Sequence, residues 1–347
     1  MANNIKRCLR FIAAAIAAFL ATWPVAASAQ QKSPSFAGKQ MRMVIASGAG
    51  GGYDAYARVL SRHLKDHLAG TPAMIDQNMP GAAGMTAMNW AYSVAPKDGT
   101  VILATYNSLL PEPLYGNPAA KFDPLKFEMI GSISKQQNIC VTWHTNPVKT
   151  IAQAKDHQIV MAATGTAGDS ASMPRILNAL LGTKLKVITG YETTQSRLAV
   201  ERGEVDGVCG LSWSTLKASN PDWIAKKRIN VLVQTGAKPH PDLPDVPTLL
   251  SLVTTPDDKQ VVSLLSFPQE MGRPFLMPPG TPKDIVAAVR HAFDETMKDP
   301  AFIADAQKSL LEIDPLTGEQ METLLKTSYA APKPLVKRAA QISGEAR

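Results

Sequence analysis

Three stretches of this chain combine glycine with hydroxyl, amide and carboxylate side chains in a pattern suited to holding an anion. The first is Ser47-Gly48-Ala49-Gly50-Gly51-Gly52-Tyr53-Asp54, the second Asn78-Met79-Pro80-Gly81-Ala82-Ala83-Gly84, and the third Thr164-Gly165-Thr166-Ala167-Gly168-Asp169-Ser170. Each follows a short apolar run and opens a segment with helical spacing. Such a loop leaves the first backbone N–H groups of its helix unpaired, where an anion can accept from them. No Lys or Arg lies inside any of the three loops, so charge would be recognised there by dipoles and hydrogen bonds. One helix N-terminus contributes about 0.3–1 kcal/mol, whereas a micromolar complex needs about 8 kcal/mol. Charge-assisted hydrogen bonds of roughly 1.5–3 kcal/mol each must supply the rest. Ser47, Ser108, Thr164, Thr166 and Ser170 are the hydroxyls placed to make them.

Other chemistries fit less well. A single glycine loop is most simply a tight turn, but three alike in one chain favour a site. The first loop puts Tyr53 where a dinucleotide fingerprint needs its third glycine, and no Gly-Lys-Ser or Gly-Lys-Thr follows any loop. His63 and His67 are four apart on one helix, without the glutamate of a zinc protease or an evident third ligand, and read as a solvated flank. Gly210-Leu211-Ser212-Trp213-Ser214 has Ser where a nucleophile elbow needs its last glycine. No catalytic set, metal site or cofactor is expected.

The elements that must position the loops alternate. Strands are expected at 42–46, 73–77 and 101–106, with helices at 54–68 and from the Pro80-Gly81 turn to about 95. After a proline-rich passage at 108–127, an extended run at 130–143 begins a second alternation. It continues with strands at 159–163, 185–188, 205–209 and 229–234 and helices after Gly168 and at 194–202. A helix opening at Thr281-Pro282 and amphipathic segments at 301–311 and 319–329 close the chain. This pattern implies an α/β architecture on open parallel sheets.

Lys6, Arg7 and Arg10, the apolar run 11–20 and Ala27-Ser28-Ala29 form a secretory signal peptide over residues 1–29, cleaved before Gln30. Its loss takes the net charge of +7 to about +4, too mild and too dispersed for a nucleic-acid partner. Of the 347 residues, 45% are hydrophobic, and the mature length exceeds what one core usually serves. The expected division is 36–124 plus 235–347 as one domain and 125–234 as the other. Cys140 and Cys209 are left after cleavage, either as one disulfide or as two buried thiols.

Six motifs in order, Gly50-Gly51-Gly52-Tyr53-Asp54, Asn78 to Gly84, Ala95-Pro96-Lys97-Asp98-Gly99-Thr100, Gly203-Glu204-Val205-Asp206, Leu243-Pro244-Asp245-Val246-Pro247-Thr248 and Pro279-Gly280-Thr281-Pro282, carry a resemblance across almost the whole mature chain. The chain resembles the substrate-binding proteins of tripartite tricarboxylate transporters, the TctC or Bug family. The resemblance implies a two-lobed periplasmic binding fold of type II-like form that closes over a small organic anion, acting as a monomer with inner-membrane transporter subunits or a sensor. It assigns the ligand to Ser47, Gly50, Gly51, Gly52, Tyr53 and Asp54, and to Asn78, Pro80, Gly81, Ala82, Ala83 and Gly84. In the second lobe it points to Thr164, Gly165, Thr166, Gly168, Asp169 and Ser170, with Tyr191 close by. Two positions depart from the family pattern, which commonly has a small residue or proline at Tyr53 and glycine at Ala83.

Overall fold

The computed structural model describes residues 34–165, 168–191 and 193–344. The expected signal peptide and Thr166 lie outside these residues. The first half-lobe runs β1 (Gln40–Ile45), α1 (Gly52–Leu64), β2 (Ala73–Asn78), α2 (Met85–Ser93), β3 (Val101–Ala104) and β4 (Glu128–Ser132). The chain then builds β5 (Asn138–Trp143), β6 (Ile159–Ala163), α3 (Asp169–Leu181), β7 (Leu185–Thr189), α4 (Thr193–Glu201), β8 (Gly207–Ser212), α5 (Trp213–Ser219), α6 (Pro221–Ala225) and β9 (Ile229–Gln234). It returns through α7 (Leu249–Leu252), α8 (Pro256–Glu270), β10 (Pro274–Met277), α9 (Lys283–Thr296), α10 (Pro300–Lys308), β11 (Leu316–Thr317), α11 (Gly318–Tyr329) and α12 (Lys333–Ser343).

Two mixed sheets result, ordered β11-β4-β10-β3-β1-β2 and β7-β6-β8-β5-β9. Strands β1, β2 and β3 are parallel, as the alternation requires, and so are β6, β7 and β8. The strands at the passages between sheets are not, and this corrects the expectation of parallel sheets. The chain leaves the first sheet along β4 and returns along β10, so these two run past each other antiparallel, and β5 and β9 do the same in the second sheet. The extended run expected at 130–143 is therefore two strands, one in each sheet, joined by residues 133–137.

Period-2 alternation buries both faces of β1. Met41, Met43 and Ile45 pack with Leu60 and Leu64 of α1, Phe293 of α9 and Phe302 of α10. Val44 and Ala46 pack on the other side with Met88 of α2, Phe267 of α8 and Leu325 of α11. The second sheet is likewise covered on both faces. Helix α12 joins the two lobes, with Ala339 in the first core, Ile342 against both, and Arg175 of α3 donating to the Ser343 carbonyl at 3.4 Å. Cys140 and Cys209, both buried, form a disulfide between the neighbouring strands β5 and β8. No helix among the described residues is long and apolar enough to cross a membrane.

Candidate functional site

The first two glycine loops are fastened to each other by a polar clasp. Asp54, in the first turn of α1 and 4% exposed, accepts from the Gly50 N–H at 2.9 Å, from Arg58 Nε at 2.9 and 3.0 Å, and from Asn78 Nδ2 at 2.8 Å. Asn78 Nδ2 also donates to the Ser47 carbonyl at 2.9 Å, while its Oδ1 accepts from Arg58 Nη2 at 2.8 Å. Burial alone would raise the Asp54 carboxyl, but Arg58, the Gly50 N–H and Asn78 together hold it below the ordinary carboxylate range. Asp54 and Asn78 thus spend their polar atoms on each other and on the loop backbone, which sets the spacing of the two loops.

What remains open is backbone. Helices α1, α2 and α3 begin on Gly51, Gly84 and Gly168, none with a side-chain cap. Thr248, Thr255, Asp299 and Thr317 cap α7, α8, α10 and α11 through their side chains, while α5, α6, α9 and α12 also begin without a side-chain cap bond. At α1 and α3 no side chain accepts from the first helical N–H groups, whereas at α2 the Met85 N–H donates to the Ala82 carbonyl and the Gly84 N–H to the Gly81 carbonyl at 2.8 Å, so that start closes on its own loop. Gly50, Gly51, Gly52, Gly81, Ala82 and Ala83 are exposed, and Pro80 beside them is too. Ser47 is 5% exposed and its Oγ is buried without a hydrogen-bond partner.

The second loop is strained. Four successive residues, Gly81, Ala82, Ala83 and Gly84, have φ of 140°, 46°, 53° and 91°. For the two alanines the left-handed region costs roughly 1–2 kcal/mol each, strain of the kind held at ligand-binding loops. Gly84 is further confined because a Cβ there would lie 2.6 Å from Cδ2 of Tyr106. That ring in turn meets Tyr53 edge-on, with centroids 4.6 Å apart.

Tyr53 leads to a cation that no loop motif announces. The Arg273 guanidinium lies 4.4 Å from the Tyr53 ring centroid and 5.0 Å from that of Tyr56. Arg273 is 4% exposed, forms no ion pair among the described residues, and keeps a buried Nε without a partner. Its Nη1 donates to Gln136 Oε1 at 2.6 Å and to the Gly272 carbonyl at 3.0 Å. Its Nη2 lies 3.9 Å from where a Cβ on Gly52 would stand, and Thr215 Oγ1 of α5 lies 4.0 Å from the same point. A Cβ on Gly52 would thus touch a buried cation from one lobe and a hydroxyl from the other. The Tyr53 hydroxyl donates to Asn107 Oδ1 at 2.8 Å, and burial pushes its phenol upward against the opposing pull of Arg273.

From Arg273 a chain of side chains crosses to the third loop. Gln136 Nε2 donates to Asn138 Oδ1 at 3.0 Å, and Asn138 Nδ2 donates to Asp169 Oδ2 at 2.6 Å. Arginine can only donate and an ionised carboxylate only accept, so the two ends fix the direction of both amides. Asp169 is half-buried, and that burial, only partly offset by Asn138, raises its carboxyl above the ordinary range. Gly168 precedes the helix with φ 85°. Thr164 and Ser170 bind each other, the Thr164 N–H donating to Ser170 Oγ at 3.2 Å. Gly165 has open space around it, and Tyr191, at the end of β7, donates its N–H to the Ala163 carbonyl at 3.3 Å. Ser108 is exposed and lines a cavity of about 60 Å³ with Asn107, Asn138 and Asp169.

Arg273, Gln136, Asn138, Asn107 and Thr215 are absent from the sequence reading. None sits in a glycine motif, and four of the five come from passages between sheets or from loop ends, where periodicity says nothing. Polar clusters elsewhere are structural. His63 and His67 pair with Asp305 and Asp299 of α10, each at 3.0 Å, rather than facing solvent. His240, Asp242 and Glu312 bring ligand atoms within 4.8 Å of one another, but Lys217 Nζ stands 2.6 Å from both acids and supplies the positive charge there.

Residues 56–340 match the family model described as the tripartite tricarboxylate transporter family receptor. A UPF0065 protein of Bordetella bronchiseptica is 26% identical over 306 residues, covering 82% of this chain and 80% of that protein. Among solved structures, a TctC solute binding protein from Polaromonas superposes with a TM-score of 0.66 at 17% identity, covering 86% of this chain and 98% of that one. A protein of R. palustris solved with adipate gives a TM-score of 0.63 at 17% identity, covering 88% and 97%. At these identities the solved structures speak for the fold, which is that of periplasmic binding proteins.

Proposed function

The chain belongs to the tripartite tricarboxylate transporter receptor family, and on that premise we propose that it is a periplasmic solute-binding protein that captures a small carboxylate between its two lobes and presents it to membrane transporter subunits. The observation that carries this reading is the exposed first glycine loop at the uncapped start of α1, clasped to the second loop through Asp54 and Asn78, with the buried guanidinium of Arg273, which has no ion-pair partner among the described residues, beside Gly52. Backbone N–H groups at a helix start favour an anion, and an unpaired buried cation adds to the same potential. A carboxylate over Gly52 accepts from the first-loop N–H groups and lies within reach of Arg273.

We assign the lobes as residues 36–132 with 235–347, and 133–234: the boundary expected at 124/125 moves past β4, which hydrogen-bonds to β10 in the first sheet. Closure then turns on residues 133–137 and on the return passage into α8, and brings Thr215 and the third loop over the first two. Binding without chemistry is the reading that family membership supports. A thermal-shift panel of organic acids and amino acids on mature protein tests it. An acid at about 100 times its dissociation constant adds about 2.7 kcal/mol and a clear rise in Tm. A panel with no stabilising acid counts against the proposal.

A further inference from the structure

Arg273 and Asp169 each lack an oppositely charged partner among the described residues, and a chain of two amides links them. For Arg273 the Nε is buried without a hydrogen bond, and Nη2 lies 3.9 Å from where a Cβ on Gly52 would stand. Asp169 has no cationic partner among the described residues, and Asn138 is its hydrogen-bond donor. The amides of Gln136 and Asn138 join the two across the lobes, each turned so that its dipole agrees with the cation at one end and the acid at the other. An unpaired half-buried charge is costly, and here the two are kept apart by hydrogen-bonded spacers rather than brought together as an ion pair.

We infer that the ligand carries an ammonium group as well as a carboxylate, with Arg273 and the first glycine loop receiving the carboxylate and Asp169 receiving the nitrogen. The inference rests on the carboxylate reading above and narrows it to amino acids and similar aminocarboxylates. A ligand with anionic groups at both ends satisfies Arg273 but sets its second charge against Asp169, a like-charge contact in a partly dehydrated site. A zwitterion satisfies both. Burial raises the Asp169 carboxyl in the unliganded protein, and an ammonium nearby opposes that shift.

Calorimetric titration of the mature protein with pairs differing only in the amino group tests this: alanine and propionate, aspartate and succinate, phenylalanine and 3-phenylpropionate. In the pair whose side chain fits, the amino member binds about tenfold or more tighter, a difference of about 1.4 kcal/mol. Asp169→Asn, which keeps the shape and can still accept from Asn138, abolishes that preference. Equal or tighter binding of the desamino member in every pair that binds overturns the inference and leaves the carboxylate reading standing. Binding by no member of any pair overturns it too, and the organic-acid panel then decides separately whether the carboxylate reading falls with it. The wild-type comparison needs no variant, so a misfolded Asp169→Asn does not shield the inference.

Discussion

Asn78 Nδ2 donates to Asp54 Oδ1 at 2.8 Å, and through that bond the loop after β2 is tied to the loop after β1. One side chain follows a strand end and the other opens a helix, so the bond fixes the relative height of two helix starts. Anion binding by backbone N–H groups depends on that height, because the donors cannot move independently of their helices.

Asn78→Ala removes this bond, the one to the Ser47 carbonyl and the acceptor for Arg58. Two to three hydrogen bonds with net values of about 0.5–1.5 kcal/mol each are lost, partly replaced by water, so chemical denaturation should show about 1–2 kcal/mol less stability. Carboxylate affinity should fall by more than the stability loss explains, because both loops shift.

Asp54 gives the clasp its acid dependence. Its carboxyl is depressed in the folded protein, so its stabilisation is present above the ordinary carboxylate pKa of about 3.9 and is lost as pH falls through the lower folded value. Urea denaturation from neutral to strongly acidic pH should therefore show Asp54→Asn starting less stable but losing less on acidification than the wild type. Parallel curves would remove Asp54 from the account.

Asp169 works in the opposite sense. Its carboxyl is raised by burial, so its contribution favours the fold below about pH 4 and is lost as pH rises through the folded value. Unliganded Asp169→Asn should melt higher than the wild type near neutral pH, and the gap should close at about pH 4. A residue that lowers stability where the protein works is consistent with a role in binding.

Ala83 sits at φ 53° in an exposed loop. Ala83→Gly relieves roughly 1–2 kcal/mol of strain and costs about 0.5–1 kcal/mol through the freer unfolded chain. The net gain expected in thermal or urea unfolding is between zero and about 1.5 kcal/mol. Gly81→Asp is a poorer probe of charge at this loop, because Gly81 has φ 140° and a Cβ there would stand 2.7 Å from Thr86 Oγ1.

The Cys140–Cys209 bond closes a loop with a sequence separation of 69. Replacing both cysteines by alanine should cost about 2–5 kcal/mol of unfolding free energy, while ligand affinity at a temperature where both proteins are folded stays unchanged. Both sulfurs are buried, so thiol reagents should reach the bond only after the lobe opens.

The first two loops were legible because glycine clusters at strand ends are local signals, and residues 47–54 and 78–84 fall where the alternation placed them. The charges that complete the site were not. Arg273 lies just before β10, a four-residue strand whose antiparallel pairing no local pattern demands. Gln136 and Asn138 acquire meaning only because the passage between sheets sets them between Arg273 and Asp169. Helices α8 and α12 escaped the reading as well. The expected helix start at Thr281 shifted by a residue or two, since Thr281 Oγ1 turns back to the Pro278 carbonyl and α9 begins at Lys283.

The most direct test of the account is calorimetric titration with the acid that most stabilises the protein and, in parallel, with the neutral amide of that acid. Two charge-assisted hydrogen bonds lost at about 1.5–3 kcal/mol each predict that the amide binds on the order of a hundredfold or more weakly. Equal affinity for acid and amide would contradict the claim that this cleft recognises a carboxylate.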